Sequence, residues 1–220
     1  MLHPSRSRRS SSAFTLLEMM VVILIIGILS GSFVVMMPEM VDKAKMTANE
    51  QNMTRLYQTF LSYQQDHSGS WPRDNGQRFF LRLWKDRVVD RTEKNAKLFF
   101  SPAEDVGLYV MDGQTPEDYL DDWDGIGPGS TSYAGFNDFG ERAARRKLRS
   151  DPGHTTIVSD AMRFHRTAMI YLTADGSTHR LLFPELAEKE GLILDEILME
   201  GAVVAGPDSL APELRTVSND

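Results

Sequence analysis

Between Met19 and Met37 the chain carries no charged residue, and that run limits the possible folds more than any other feature. At about 1.5 Å of rise per residue it spans close to the ~30 Å of a bilayer's hydrocarbon core. Glu18 stands at its front edge, in "SSAFTLLEMMVVILIIGILSGSFVVMM", residues 11 to 37. A carboxylate carried into lipid costs on the order of 2 to 3 kcal/mol, so this one implies a task and a partner. Arg6, Arg8 and Arg9 precede the run. By the positive-inside rule the N-terminus stays cytoplasmic and the chain after about residue 38 is exported.

The 220 residues suffice for one soluble domain of ordinary size beside a membrane segment. With 25% charged and 41% hydrophobic residues, the bulk of the chain is globular rather than disordered. A net charge of −7 argues against nucleic acid as a partner, since such binders show a dominant basic face. Cysteine is absent, so neither disulfides nor thiolate metal sites hold the domain together.

Three readings compete for the N-terminus. One is an ordinary secretory signal with a small-x-small site at Ser30-Gly31-Ser32, which leaves Phe33 as the first mature residue. Another is a plain signal anchor. Neither accounts for Glu18, nor for the apolar "FVVMM" beyond that site. The third rests on "AFTLLE", residues 13 to 18, placed after a short basic leader and before a long apolar helix. This arrangement resembles the cleavage and methylation motif of type IV prepilins, a family that includes the pseudopilins of type II secretion systems.

The resemblance covers roughly residues 5 to 40 and implies a cut by a prepilin peptidase between Ala13 and Phe14. The new Phe14 amine is then methylated, and Glu18 neutralises the amine of a neighbouring subunit as helices pack in a filament. Ala13 stands where the family usually has Gly, and it is small enough for the cut. Such pairing is physically sensible, because a carboxylate and an ammonium that are poorly solvated in lipid stabilise each other on association. Gly27 and Gly31 form a G-x-x-x-G pair that lets membrane helices approach closely. Pro38 interrupts the helical hydrogen-bond ladder and is expected to kink it.

Beyond Pro38 the pattern turns amphipathic. Val41, Ala44, Ala48, Met53, Leu56, Tyr57 and Phe60 recur at intervals of three and four, which predicts one long helix from about Phe14 to Asp66. Residues 76–90 read as a short helix anchored by Phe79, Phe80, Leu83 and Trp84. "KLFFSPAED" reads as a short strand or a turn into a loop, and "TPEDYLDDW" as a helix capped by Thr115. "SYAGFND" and "TTIVSD" read as strands, and "TAMIYLTADGSTHRLLF" as a hairpin around Asp175-Gly176. "PELAEKEGLILDEILMEG" is helical, and the polar tail from Pro207 is expected to fray. The fold class is α+β, a long N-terminal helix packed on a small antiparallel sheet domain. The segments are a cleaved leader (1–13), a membrane and assembly helix (14–37), its amphipathic continuation (38–67) and a periplasmic globular domain (68–220). A looser likeness to bacterial pseudopilin-like proteins, which often have Cys at the place of Ser101, covers the "SYAGFN" strand and the "ADGS" hairpin.

Little else carries chemistry. Asp112, Glu117, Asp118, Asp121, Asp122 and Asp124 gather oxygen ligands of the kind Ca²⁺ takes, with Asp121, Asp122 and Asp124 as the nearest set. The string fails the EF-hand pattern, because Leu120 and Thr131 occupy ligand positions, so no cofactor is expected. "ERAARRKLR", residues 141–149, is a solvated basic helix face, or meets an acidic face such as 112–124 on the next subunit. His154, Asp160, His165 and His179 match no H-E-x-x-H spacing, and Ser159 lacks a nucleophile elbow. His165 and His179 flank the hairpin as ordinary exposed positions.

The resemblance implies a non-enzymatic pseudopilin in a bacterial inner membrane, crossing once, with its C-terminal domain periplasmic. Its partners would be like and unlike pilin-like subunits, prepilin peptidase, an inner-membrane assembly platform and membrane lipid. Within the family, a type IV pilus or DNA-uptake filament subunit is the alternative. From another class, the alternative is a secreted or membrane-anchored binding module or hydrolase.

Overall fold

A computed structural model describes residues 15–111, 113–138, 142–199 and 202–220. Helix α1 spans Leu16–Asp66 with Pro38 inside it. The missing proline N–H removes one ladder bond to the carbonyl four residues back, and the helix continues past it. The chain divides into two compact units, Met1–Val41 and Asp42–Asp220. In the first, every large hydrophobic side chain from Leu16 to Val41 is exposed, and the helix is long and apolar enough to cross a membrane.

The second unit is built on a five-stranded antiparallel sheet in the order β4-β3-β2-β1-β5. Its strands are β1 (Tyr133–Phe136), β2 (Thr156–Asp160), β3 (Ala168–Thr173), β4 (Thr178–Leu182) and β5 (Val217–Ser218). Helices α2 (Gln77–Lys85), α3 (Glu93–Ala96), α4 (Pro116–Asp121), α5 (Arg142–Ser150), α6 (Phe183–Glu190) and α7 (Leu194–Leu198) complete it. This is the α+β class anticipated from the pattern of elements.

The two faces of β3 show how the layers form, since alternate residues of a strand point to opposite sides. Ala168, Ile170 and Leu172 join a core with Met53, Leu56 and Phe60 of α1 and with Phe79, Phe80 and Trp84 of α2. Met169 points the other way, into a second core with Phe183, Leu186, Ile197, Leu214 and Val217. The hairpin turns at Asp175-Gly176, where Gly176 has φ +92° and an added Cβ would strike the ring of Tyr57.

Several expectations need correction. The buried stripe of α1 is Asp42, Met46, Asn49, Met53, Leu56, Phe60 and Tyr63, at alternating steps of four and three. Val41 and Ala44 are exposed instead, because polar Asp42 and Asn49 have buried partners that no periodicity of apolar residues can reveal. Of the two readings of "KLFFSPAED", the turn holds and the strand does not, since Lys97–Phe99 form a 3-10 turn. The last helical stretch breaks at Gly191, in the left-handed conformation, into α6 and α7. The tail does not fray: Leu214 and Val217 are fully buried, and β5 pairs with β1 through Gly135↔Ser218 and Phe136↔Val217.

Candidate functional site

The first turn of α1 is closed by a reciprocal cap. Thr15 N donates to Glu18 Oε2 at 2.8 Å and Thr15 Oγ1 donates to the same oxygen at 2.9 Å. In return Glu18 N donates to Thr15 Oγ1 at 3.2 Å. Thr followed three residues later by Glu is the sequence signature of this box, and an acid here also complements the positive end of the helix dipole. Glu18 therefore has a local role within its own chain, and its exposed carboxylate faces outward beside the apolar run. Ala13 and Phe14 lie outside the described residues. Gly27 and Gly31 are open, with nothing within 4 Å of where a Cβ would stand, so the helix offers a strip on which another backbone can approach closely.

A second polar group sits inside the globular unit. Asp160 and Asn49 have no solvent exposure and His165 is 3% exposed. Asn49 Nδ2 donates to Asp160 Oδ1 at 2.7 Å and lies 3.2 Å from His165 Nε2. The other Asp160 oxygen accepts from Ile170 N at 2.8 Å. His165 Nδ1 faces Asp42 Oδ1 at 3.6 Å, and a second Asp42 oxygen accepts from Arg166 N at 3.1 Å. Burial pushes the Asp160 carboxyl up to about 7. Burial likewise holds the His165 imidazole below its usual value, with Asp42 opposing.

His165 is thus not an exposed loop residue, as its position before the hairpin suggested. The loop between β2 and β3 folds it under α1, a long-range contact with no local sequence signal beyond Asp42 and Asn49 seven residues apart. Asp160 and His165 are brought together, while His154 pairs with Asp151 at the surface and His179 stacks on Tyr171. The Ser159 hydroxyl donates to its neighbour's carbonyl, 3.0 Å away. Among the described residues the histidine ring faces Asn49, Asp42 and Asp160, and the cluster is buried, so it reads as a polar plug between helix and sheet.

The acidic segment is spread over separate tasks. Asp118 completes a capping box with Thr115. Asp121 pairs with Arg91 at 2.8 Å and accepts from Trp84 Nε1, and Asp122 accepts from Gly125 N. Asp112 lies outside the described residues, among which no three His, Cys, Asp or Glu side chains are grouped to hold a metal ion. On the basic helix, Arg145 is committed within the chain, to Asp138 at 2.9 Å and to the carbonyls of Pro72 and Arg73. That engagement corrects its expected availability to a neighbouring subunit.

Residues 8–34 match the family model described as the prokaryotic N-terminal methylation motif. The chain therefore carries a type IV pilin-like prepilin signal, whose residues from Leu16 onward form the start of the long apolar helix. No curated protein and no solved structure matches the chain.

Proposed function

We infer that this chain is a pseudopilin, a structural subunit that assembles through its N-terminal helix into a periplasmic filament serving type II secretion. Prepilin peptidase cuts between Ala13 and Phe14, the Phe14 amine is methylated, and residues 14–37 hold the subunit in the inner membrane by a single crossing. The domain after residue 38 is periplasmic, and the subunit reaches the filament through an inner-membrane assembly platform. The observation that carries this reading is the methylation motif at residues 8–34 together with a helix whose large apolar residues from Leu16 to Val41 are all uncovered. A subunit of a filament uses such a surface twice, in lipid before assembly and against neighbouring helices after it.

Secretion is preferred to a pilus because the globular unit closes its C-terminal end by β5 pairing rather than by a disulfide loop. Glu18 supplies the counter-charge to a neighbour's Phe14 amine, exchanging its cap on Thr15 for an ammonium as subunits join. The test is Glu18→Gln. The amide is less costly in lipid than a charge, so insertion and cleavage persist, while assembly leaves each amine uncompensated at a cost of several kcal/mol. Cross-linked multimers fall to a small fraction of the parent's. Processed, inserted Glu18→Gln protein that assembles as well as the parent would contradict the role.

A further inference from the structure

Within the globular unit, α5 sets its arginines over a groove of about 380 Å³ against residues 70–73. That volume exceeds the ~150 Å³ that holds a benzene molecule. Trp71 and the buried Leu148 supply its apolar surface, and Arg73, Arg142, Arg146 and Arg149 line much of the rest. Arg142, Arg146 and Arg149 follow at helical steps of four and three, so they share one side of α5 and repel one another. The carboxylates around the groove are committed: Asp138 to Arg145 at 2.9 Å, Asp74 to Arg82 at 3.4 Å and Asp151 to His154 at 2.8 Å. Asp66 ends α1 without lining the groove. Among the described residues, Arg73, Arg142 and Arg146 are left without a carboxylate partner.

The opposite character gathers at the corner between α6 and α7. Gly191, in the left-handed conformation, turns the chain there, and Ile193 stands 67% exposed. Glu185, Glu188, Asp195 and Glu196 are exposed on either side of it. The cations beside them are Lys189, bound to Glu213, and Arg163, whose Nη2 donates to the Met199 carbonyl at 3.0 Å. The acidic segment around α4 is a weaker counterpart to the groove. There Arg91 pairs with Asp121, and Lys85 and Arg78 lie over the Trp123 ring at 4.1 and 5.5 Å. Two copies of a chain at −7 repel in general, and an orientation that sets unlike patches together reverses this. We propose that Ile193 of one copy enters the α5 groove of the next beside Trp71, with Glu188 and Asp195 meeting Arg142 and Arg146. The two patches differ, so the contact is heterologous, and such contacts extend into open filaments where the rotation does not close. This inference rests on the filament reading above, and the experiment separates the two.

The cysteine-free sequence allows single cysteines in the full chain. Ser70→Cys lines the groove and keeps every arginine, and Ile193→Cys marks the corner. The two chains, carrying different tags, are co-expressed with the peptidase and their membranes oxidised. Mixed disulfides between residues 70 and 193 are expected several-fold above either homodimer. Arg142→Glu with Arg146→Glu in the Ser70→Cys chain should lower that yield several-fold, as should high salt. Energy transfer between donor and acceptor labels on Val34→Cys chains in reconstituted vesicles reports helix association. No transfer would overturn the filament reading itself. Transfer with no excess of the 70–193 disulfide would overturn the docking alone. A larger yield of Ser70→Cys with Asp124→Cys would give the groove to the acidic segment instead, and a dominant Ile193→Cys homodimer would replace the proposal by a symmetric contact. A yield unmoved by the charge reversals would overturn the pairing of arginines with carboxylates.

Discussion

The Tyr133 hydroxyl donates a 2.6 Å hydrogen bond to Asn49 Oδ1, and its surroundings fix that direction from both sides. Asn52 Nδ2 donates to the same hydroxyl at 3.2 Å, so the phenolic proton points to Asn49. With Oδ1 accepting, the Asn49 amide must present Nδ2 to Asp160 and His165. His165 Nε2 then carries the lone pair, and the imidazole proton sits on Nδ1, facing Asp42. Burial pushes the Tyr133 phenol well above its usual range, in keeping with a hydroxyl that keeps its proton. Tyr133→Phe deletes the link while preserving the ring, and strands Asn49 Oδ1 in a dry site. The expected loss is about 1 to 3 kcal/mol, which lowers Tm by several degrees. Unfolding of the detergent-solubilised chain, followed by the fluorescence of Trp71, Trp84 and Trp123, measures it. An unchanged midpoint would show that the network contributes nothing.

Asp160 gives stability a defined pH dependence. Its carboxyl is raised in the folded state to about 7 from an ordinary 3.8, so the fold binds this proton more tightly than the unfolded chain does. The contribution is fully present below about pH 4, declines as pH rises towards 7, and is flat above that. His165 works in the opposite sense: its lowered value means that stability is lost as pH falls below the ordinary histidine range. Asp160→Asn removes only the first effect. The stability of the variant relative to the parent should rise between pH 4 and pH 7 by an amount on the order of 4 kcal/mol. Parallel stability curves would refute the raised carboxyl.

Much of this could be read from the sequence, and the failures share a cause. Thr115 and Asp118 announce their capping box because both partners lie within one helical turn. The Asp175-Gly176 hairpin is equally local. Asp42, Asn49 and His165 were missed because their partners lie more than a hundred residues away, and polar residues on a helix are read as exposed unless the partner is known. The tail was misread for a related reason, since its polar composition hides Leu214 and Val217, whose burial depends on a strand far earlier in the chain.

Removal of residues 217–220 tests that correction. It deletes the buried Val217, the β1–β5 pairing, and the backbone bond from Gln77 N to Asp220 O at 2.9 Å that closes the start of α2. One buried valine and a few hydrogen bonds amount to about 3 to 5 kcal/mol. The truncated chain should unfold at markedly lower denaturant concentration, whereas a frayed tail would be dispensable.

Arg145 should behave as a structural clamp rather than a surface charge. Its fork reaches Asp138 on one side and two carbonyls of the 72–73 segment on the other. Arg145→Lys cannot reproduce those planar contacts, so both Arg145→Lys and Arg145→Ala should speed proteolysis between residues 68 and 75. Arg146→Ala, at an exposed neighbouring position, should leave the cleavage rate unchanged. Equal protection in all three variants would dismiss the clamp.

The central claim is that this chain is matured as a prepilin, and the N-terminus of the membrane-extracted protein tests it most directly. Intact mass and N-terminal sequencing, with the peptidase co-expressed, should find a chain that begins at Phe14 and carries one added methyl group. A chain that begins at Phe33, or one that keeps its basic leader, would contradict the account.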